Sequence, residues 1–324
     1  MSSDPTRLVF ARTGKPAEVL AFEKAPLPSG EVVVRILAAP LNPADLNTIE
    51  GTYGVTLDLP ATPGIEGCGV VESSASPEFQ KGDRVIFLKR SATWASHVAV
   101  TADTLLKVPV EIDPLQAAML KVNPATAWQL LHGIAKLNKG DWVVLNAGNS
   151  AVGRCVIQLA RDLGFRTIAF VRRPELLDPQ RELGSDCVLL DEANSVDEAK
   201  QVMAGANAAL AFNAVGGESA LRLMKLLREG GTHITYGGMA RKPVIVPNGL
   251  LIFRGIKVCG LWITKWIENA ALEEVRVMYA DLAERVVGGR LLQAVDSTFS
   301  LENFQAALAR LEAPDRDGKV LLVP

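Results

Sequence analysis

The chain has 324 residues, 48% hydrophobic and 22% charged, with a formal net charge of −2, which is enough material for a buried core and for two domains. The near-neutral balance, without any run of basic residues, leaves no field to recruit nucleic acid or an anionic membrane. No uncharged apolar run reaches the roughly 18 residues of a spanning helix.

The start, "MSSDPTRLVFARTG", has no apolar signal region and no Arg-rich amphipathic stretch, which predicts a cytoplasmic protein, or one of an organelle matrix once a targeting peptide is removed. From residue 7 to about 110 short β-rich runs alternate with Gly and Pro: "EVVVRILAAP" (31–40), "CGVVESS" (68–74), "KGDRVIFL" (81–88) and "SHVAVTADTLLKV" (96–108). Such runs, about 5–8 residues long with turns between, predict a largely antiparallel β unit. The four cysteines, Cys68, Cys155, Cys187 and Cys259, stand singly. They signal neither a zinc lobe nor a disulfide framework and favour a reducing compartment.

From about residue 121 the rhythm changes. "DWVVLNAG" is an apolar strand; "NSAVGRCVIQLARDLG" then places Val152, Cys155, Val156, Leu159, Ala160 and Leu163 on one helical stripe closed by Gly164. Further strands read as "FRTIAFV", "DCVLL", "AALAFNAVG", "GTHITYGG" and "IKVCGLW", with helical patterns in the intervals. Strand, helix, parallel strand predicts an α/β unit with a doubly wound parallel sheet. A long helix near 268–286, a second helix and the closing strand "GKVLLVP" complete the chain.

Between the first strand and helix of the second unit lies "NAGNSAVGR" (146–154). It misses both G-x-G-x-x-G and the phosphate-loop pattern, where Arg154 and Cys155 replace Lys and Ser/Thr. A small-residue turn leaving an apolar strand still lets helix-start N–H groups approach a pyrophosphate, where the helix dipole favours negative charge. The same turn also fits a plain tight connection capped by Asn149 or Ser150. The end of the next strand, where an acidic residue would hold ribose hydroxyls, reads "FVRRPE". Arg172 and Arg173 suit a 2′-phosphate instead, which predicts NADPH.

With these pieces the chain resembles the zinc-independent medium-chain dehydrogenase/reductases, and within them the mitochondrial-type 2-enoyl thioester reductases. The resemblance runs nearly end to end through "LNPADLNTIEGTYG", "PGIEGCGVV", "VNPATAW", "NAGNSAVGRCVIQLA", "VRRPE", "NAVGGESA", "TYGGMARKPV", "LLIFRGIKVCGLWITKW" and "DGKVLLVP". It implies a GroES-like β-rich catalytic domain (1–120 and 263–324), interrupted by a Rossmann NADPH-binding domain (121–262), with the active site in the cleft between them. Zinc-dependent relatives carry Cys, His and Glu ligands in the first domain. Here Ile65 stands where their His would sit and no cysteine lies near Asp45, so no zinc is expected. His97, His132 and His233 show no ligand spacing either.

The resemblance maps the family's catalytic tyrosine onto Tyr53, one of three tyrosines in the chain. A phenol near pKa 10 can donate a hydrogen bond or a proton to an enolate without being ionised at rest. Gly51 and Gly54 are expected to let its loop reach the substrate. By motif, Asn123 belongs by the nicotinamide, and Asn149, Ser150, Ala151 and Val152 cradle the pyrophosphate. Tyr236, Gly237, Gly238, Met239, Leu261, Trp262 and Ile263 follow Rossmann strands at the ligand edge. Trp262 is also a candidate for the acyl pocket, and Lys319 matches a lysine that reaches the cofactor. Two departures stand out: Arg172-Arg173-Pro174 is one residue shorter than the usual Arg-x-Arg-Pro, and Leu261 replaces the usual aromatic residue.

Three functions stay open on the residues. The first is NADPH-dependent reduction of the C=C bond of trans-2-enoyl thioesters (acyl-CoA or acyl carrier protein), with fatty acid synthesis the expected pathway. The second is reduction of a quinone or a free enal on the same fold. The third, of another class, is a non-catalytic nicotinamide-binding protein with a structural or RNA-associated role. Tyr53 and the missing basic surface signal argue against that third reading. A homodimer is expected from the family, with "IFRGIKVCGLWI" as the pairing edge.

Overall fold

The structure, a computed structural model, describes residues 4–324. Its contacts divide the chain into two units, one running up to Val122 and resuming as Ala270–Pro324, the other Asn123–Asn269.

The first unit begins with the antiparallel pair β1 (Thr6–Phe10) and β2 (Leu20–Lys24). Its spine is β3 (Val32–Pro40), which is followed by β4 (Cys68–Ser74), β5 (Arg84–Phe87), β6 (His97–Val100) and β7 (Leu105–Lys107). β3 pairs antiparallel with both β4 and β6, β4 with β5, and β5 with β7. The run 96–108, which the sequence reads as one strand, is interrupted by a 3-10 turn at Ala102–Thr104. There Thr104 Oγ1 donates to the Thr101 carbonyl at 2.7 Å and the Ala102 N–H donates to Glu31 at 3.2 Å. A local threonine and a glutamate from 71 positions away have offered the backbone an alternative to the ladder. The core gathers Leu8, Phe10, Val32, Val34, Ile36, Phe87 and Trp94, all essentially buried.

In the second unit β8 (Trp142–Leu145), β9 (Arg166–Val171), β10 (Cys187–Leu190), β11 (Ala208–Asn213), β12 (Leu227–Thr235) and β13 (Lys257–Gly260) form one parallel sheet in the order β10-β9-β8-β11-β12-β13. This is the doubly wound order, whose direction reverses between β8 and β11. The Ala151–Leu163 helix ends at Gly164 with φ 79, a left-handed cap. Its buried surface is wider than the expected stripe: Ile157 and Gln158 are buried as well, while Val152 and Leu163 are half-buried. The helix is covered on more than one side, by the strand β9 and by the helices Asn123–His132 and Leu177–Leu183.

The expected 268–286 helix is two helices, Ile263–Asn269 and Leu272–Val287. Ala271 between them is extended, and Glu273 and Glu274 favour a fresh N-terminus there through the helix dipole. The chain then returns to the first unit's sheet as β14 (Val295–Phe299) and β15 (Lys319–Leu322), β15 lying antiparallel to β3 and parallel to β14.

One buried residue ties the second unit to pH. His233, on β12, is 0% exposed and neither ring nitrogen has a hydrogen-bond partner. Burial lowers its pKa from 6.5 to about 4. A base depressed on folding binds more protons unfolded, so its neutral form stabilises the native state above pH 6.5 and this contribution is lost as pH falls towards 4. Acidification from neutrality is expected to cost about 2 kcal/mol through this residue by about pH 5. His233→Leu is expected to remove that increment, read as the difference between variant and parent in the pH dependence of urea unfolding. Equal slopes in the two proteins would refute it.

Candidate active site

The turn after β8 is built by close approach of its backbone to neighbouring atoms. A Cβ on Gly153 would lie 2.7 Å from the carbonyl oxygens of Ala147 and Gly148, and one on Gly148 would lie 2.8 Å from the Ala169 Cβ. Both glycines of "NAGNSAVGR" are therefore required by space, and Ala147 accepts a positive φ of 49 to complete the turn. Ser150 is the helix N-cap, its hydroxyl accepting from the Gly153 N–H at 3.1 Å. Asn149, Ser150, Ala151 and Val152 thus stand at the start of a 13-residue helix, where the dipole favours an anion although the Ser150 N–H is already engaged by the Ala147 carbonyl at 2.8 Å.

The Tyr236 phenol, after β12, is aimed at this helix start. Its oxygen is buried without a hydrogen bond of good geometry. Burial raises its pKa far above the ordinary value, and the Ser150 hydroxyl works in the opposite direction. An orphaned donor at a helix N-terminus fits a bound dinucleotide's phosphate chemistry. At the end of β9, Arg172 and Arg173 are exposed; Arg173 pairs with Glu175 at 3.1 Å. Gly237 is half-buried, Gly238 and Met239 are exposed, and Leu261 continues β13 by donating to the Thr235 carbonyl at 2.9 Å. Trp262 is 41% exposed, Ile263 is buried, and Asn123 is buried at the start of the Asn123–His132 helix, on which the Ile263–Asn269 helix packs.

Sequence reading missed the polar layer beneath this edge. Asn146, following β8, and Asn213, ending β11, meet across the reversal of strand order: Asn146 Nδ2 donates to Asn213 Oδ1 and to Ser219 Oγ, both at 2.8 Å. Asn146 Oδ1 accepts from the Ala214 N–H, and Asn213 Oδ1 from the N–H groups of Val215 and Gly216. Ser219 in turn donates to Asp191, which also pairs with Arg222 at 2.7 Å. These amides freeze the loop after β11. Two asparagines ending apolar strands were the available signal.

In the first unit, Asn42-Pro43-Ala44-Asp45 is a helix start: Pro43 opens the Pro43–Glu50 helix and Asp45 accepts the Asn42 N–H at 3.2 Å. At the other end Gly51 takes φ 75 and caps the helix, and the N–H groups of Thr52 and Tyr53 both donate to the Asn47 carbonyl. Tyr53 is therefore set by the helix end, half-buried. Glycine is required at position 51 by this left-handed conformation. Gly54 has no positive φ and only open space around it, so nothing in the fold requires glycine there.

Behind the helix lies a buried charged layer. Asn42 bridges it, donating to Glu66 Oε1 at 2.8 Å and accepting from Lys319 Nζ at 2.6 Å; Lys319 also donates to the Leu41 carbonyl at 2.9 Å. Glu66 accepts the Val122 N–H, Lys121 donates to the Ile65 carbonyl, and Tyr279 donates to the Lys121 carbonyl. Burial raises the Asp45 pKa to about 6 against Arg90, the Asn42 N–H, Lys319 and Ile65. Burial likewise pushes Glu66 above the carboxylate range, with Lys319 the largest opposing influence. This donor set does not suit zinc: an ammonium occupies the Asn42 oxygen and Ile65 is apolar. Among the described residues no three His, Cys, Asp or Glu side chains gather into a metal-holding group.

Residues 28–110 match the family model of the alcohol dehydrogenase GroES-like domain, and residues 151–278 that of the zinc-binding dehydrogenases. The mitochondrial enoyl-[acyl-carrier-protein] reductase of Xenopus tropicalis is 37% identical over 330 residues, covering 98% of this chain and 94% of that protein. Among solved structures, the complex of Etr1p with NADP and crotonyl-CoA superposes with a TM-score of 0.88 at 28% identity, over 100% of both chains. A Bacillus thuringiensis protein designated an NADPH:quinone reductase superposes with a TM-score of 0.91, also at 28% identity over 100% of both chains. The chain, a GroES-like domain joined to a Rossmann domain, belongs to the zinc-independent medium-chain dehydrogenases/reductases, in the family of the mitochondrial enoyl thioester reductases.

Proposed function

We propose that the protein reduces the C=C bond of trans-2-enoyl thioesters with NADPH. The observation that carries this reading is the similarity to an enoyl reductase at 37% identity over 98% of the chain. When bound, NADPH supplies a hydride to Cβ. Negative charge then moves to the thioester oxygen, and Tyr53 donates a hydrogen bond to it or delivers the proton that Cα takes up, directly or through water. The helix start at Asn149–Val152, with Tyr236, is read as the pyrophosphate cradle. Arg172 is read as the principal 2′-phosphate contact, since Glu175 already engages Arg173. Asn123, Gly237 to Met239, Leu261 to Ile263 and Lys319 complete the proposed cofactor contacts, with Trp262 also offered to the acyl chain. Two of the three Lys319 donors are already committed within its own unit, to Leu41 and Asn42.

A homodimer is proposed as well. β13 is the edge of its sheet, exposed throughout, and Ile252 and Phe253 beside it are 71% and 82% exposed. Unpaired strand edges of this kind are covered in stable proteins. The relatives' names place those proteins in mitochondria; an organelle matrix or the cytoplasm, either of them reducing, is proposed here from four cysteines without disulfides. No helix among the described residues is long and apolar enough to cross a membrane.

The likeness to the Bacillus protein favours a quinone or enal acceptor as the second reading. Oxidation of NADPH with short and medium trans-2-enoyl-CoA, beside 1,4-benzoquinone and a trans-2-enal, separates the two. The thioester is expected to be strongly preferred, with NADH a poor substitute. Activity confined to quinone or enal would overturn the thioester assignment.

A further inference from the structure

The loop after β5 carries a cation that the reaction described above does not use. Arg90, its side chain 19% exposed, lies against the Pro43–Glu50 helix. Its Nη2 donates to Thr48 Oγ1 at 3.3 Å and its Nη1 stands 4.0 Å from Asp45 Oδ1. Asp45 and Thr48 are three residues apart and so share one helical face. Asp45 is 0% exposed and anchored through its other oxygen by the Asn42 N–H. The guanidinium is thus presented by the same helix whose C-terminal cap sets Tyr53. Nη1 is shielded from solvent and makes no hydrogen bond, an arrangement that costs stability wherever it serves no purpose. Thr48, which accepts from Arg90, adjoins Asn47, whose carbonyl takes the Tyr53 N–H at 3.1 Å, so cation and tyrosine are held by neighbouring residues of one helix end. In keeping with that, burial holds the Arg90 pKa below its ordinary value while Asp45 and then Tyr53 act to raise it.

We propose that Arg90 is the positioning residue of Tyr53, a fixed positive charge, held by Asp45 and Thr48, that readies the phenol to give its hydrogen bond and proton as negative charge grows on the substrate. The proposal rests on the catalytic reading of Tyr53. A cation beside a phenol stabilises the anionic character the phenol acquires in the transition state and contributes little to ground-state binding, so its loss falls on turnover. A guanidinium that merely packs the helix would affect folding alone.

The test measures kcat and KM, for NADPH and for a trans-2-enoyl-CoA, in R90M and R90K, each in the parent and in the Y53F background, with thermal midpoints as control. R90M is expected to lower kcat about 10-fold or more with each KM within about threefold. R90K should recover most of the loss, and R90M should change Y53F by less than about twofold. Should R90M fail to fold, R90Q, which removes the charge and keeps a shorter polar side chain, carries the same expectations. An unchanged kcat, or a loss of equal size in the Y53F background, overturns the proposal. Both outcomes leave the Tyr53 reading standing if Y53F itself is slow; an unchanged Y53F rate would instead sink Tyr53 and Arg90 together.

Discussion

Tyr53→Phe is expected to lower turnover of a trans-2-enoyl thioester by about 10²–10⁴-fold, the range for loss of a positioned general acid. The ring survives the substitution, so its packing at the end of the Pro43–Glu50 helix survives too. The two N–H bonds that Thr52 and Tyr53 make to Asn47 are backbone bonds and are untouched. What disappears is one O–H, a donor needed where negative charge develops. An interaction made mainly in the transition state lowers kcat and kcat/KM together and leaves KM nearly unchanged. Steady-state kinetics with a saturating thioester would check this. A rate within a few-fold of the parent would remove Tyr53 from the reaction.

The largest expected effect on stability comes from Lys319→Met. Lys319 is 8% exposed, and it opposes the Glu66 carboxylate through Asn42. Methionine keeps the stem and removes the charge, leaving the Leu41 carbonyl and Asn42 Oδ1 without their donor and a buried carboxylate without the cation that most opposes its burial. Breaking such a pair costs about 3–5 kcal/mol, read as a lower urea midpoint. The sign of its pH dependence follows from Glu66. A carboxyl whose folded pKa is raised above the unfolded value, near 4.5, contributes stability that is complete below 4.5 and is lost as pH rises. Without Lys319 the Glu66 pKa rises further, so the deficit of K319M is expected to be larger at about pH 7.5 than at about pH 5. Adding Glu66→Gln to K319M should recover part of it at the higher pH. A deficit equal at both pH values would show that Lys319 does not act through Glu66.

The pieces of fold legible in the chain were those governed by near neighbours. Alternation marked the strands of the first unit, and the change to apolar strand, small-residue turn and amphipathic helix marked the doubly wound sheet. The turn at 146–153 was legible because Gly153 is required by backbone only a few residues away, whereas Gly148 is required by the Ala169 Cβ on the adjoining strand. The Gly51 cap was legible for the same reason. The broken strand at 102–104 was missed because Thr and Ala in an apolar run look like strand until the local bond of Thr104 and the bond to Glu31, 71 positions away, are seen.

The sequence by itself determined the fold class, the family and the chemistry on offer: a phenol on a capped loop, a small-residue turn at a helix start, and two arginines at a strand end. Only the tertiary structure decided how those groups are held. Asn146 and Asn213 are 67 positions apart and meet because β8 and β11 are neighbours at the reversal of the sheet. Lys319 reaches Asn42 across 277 positions because β15 returns to lie beside β3. Arg90 meets Asp45 and Thr48 because its loop follows β5 onto a helix that begins 47 positions earlier, at Pro43. Periodicity reports which side of an element is buried, but the partner across a sheet is chosen by strand order, a property of the whole packed chain that no local window contains.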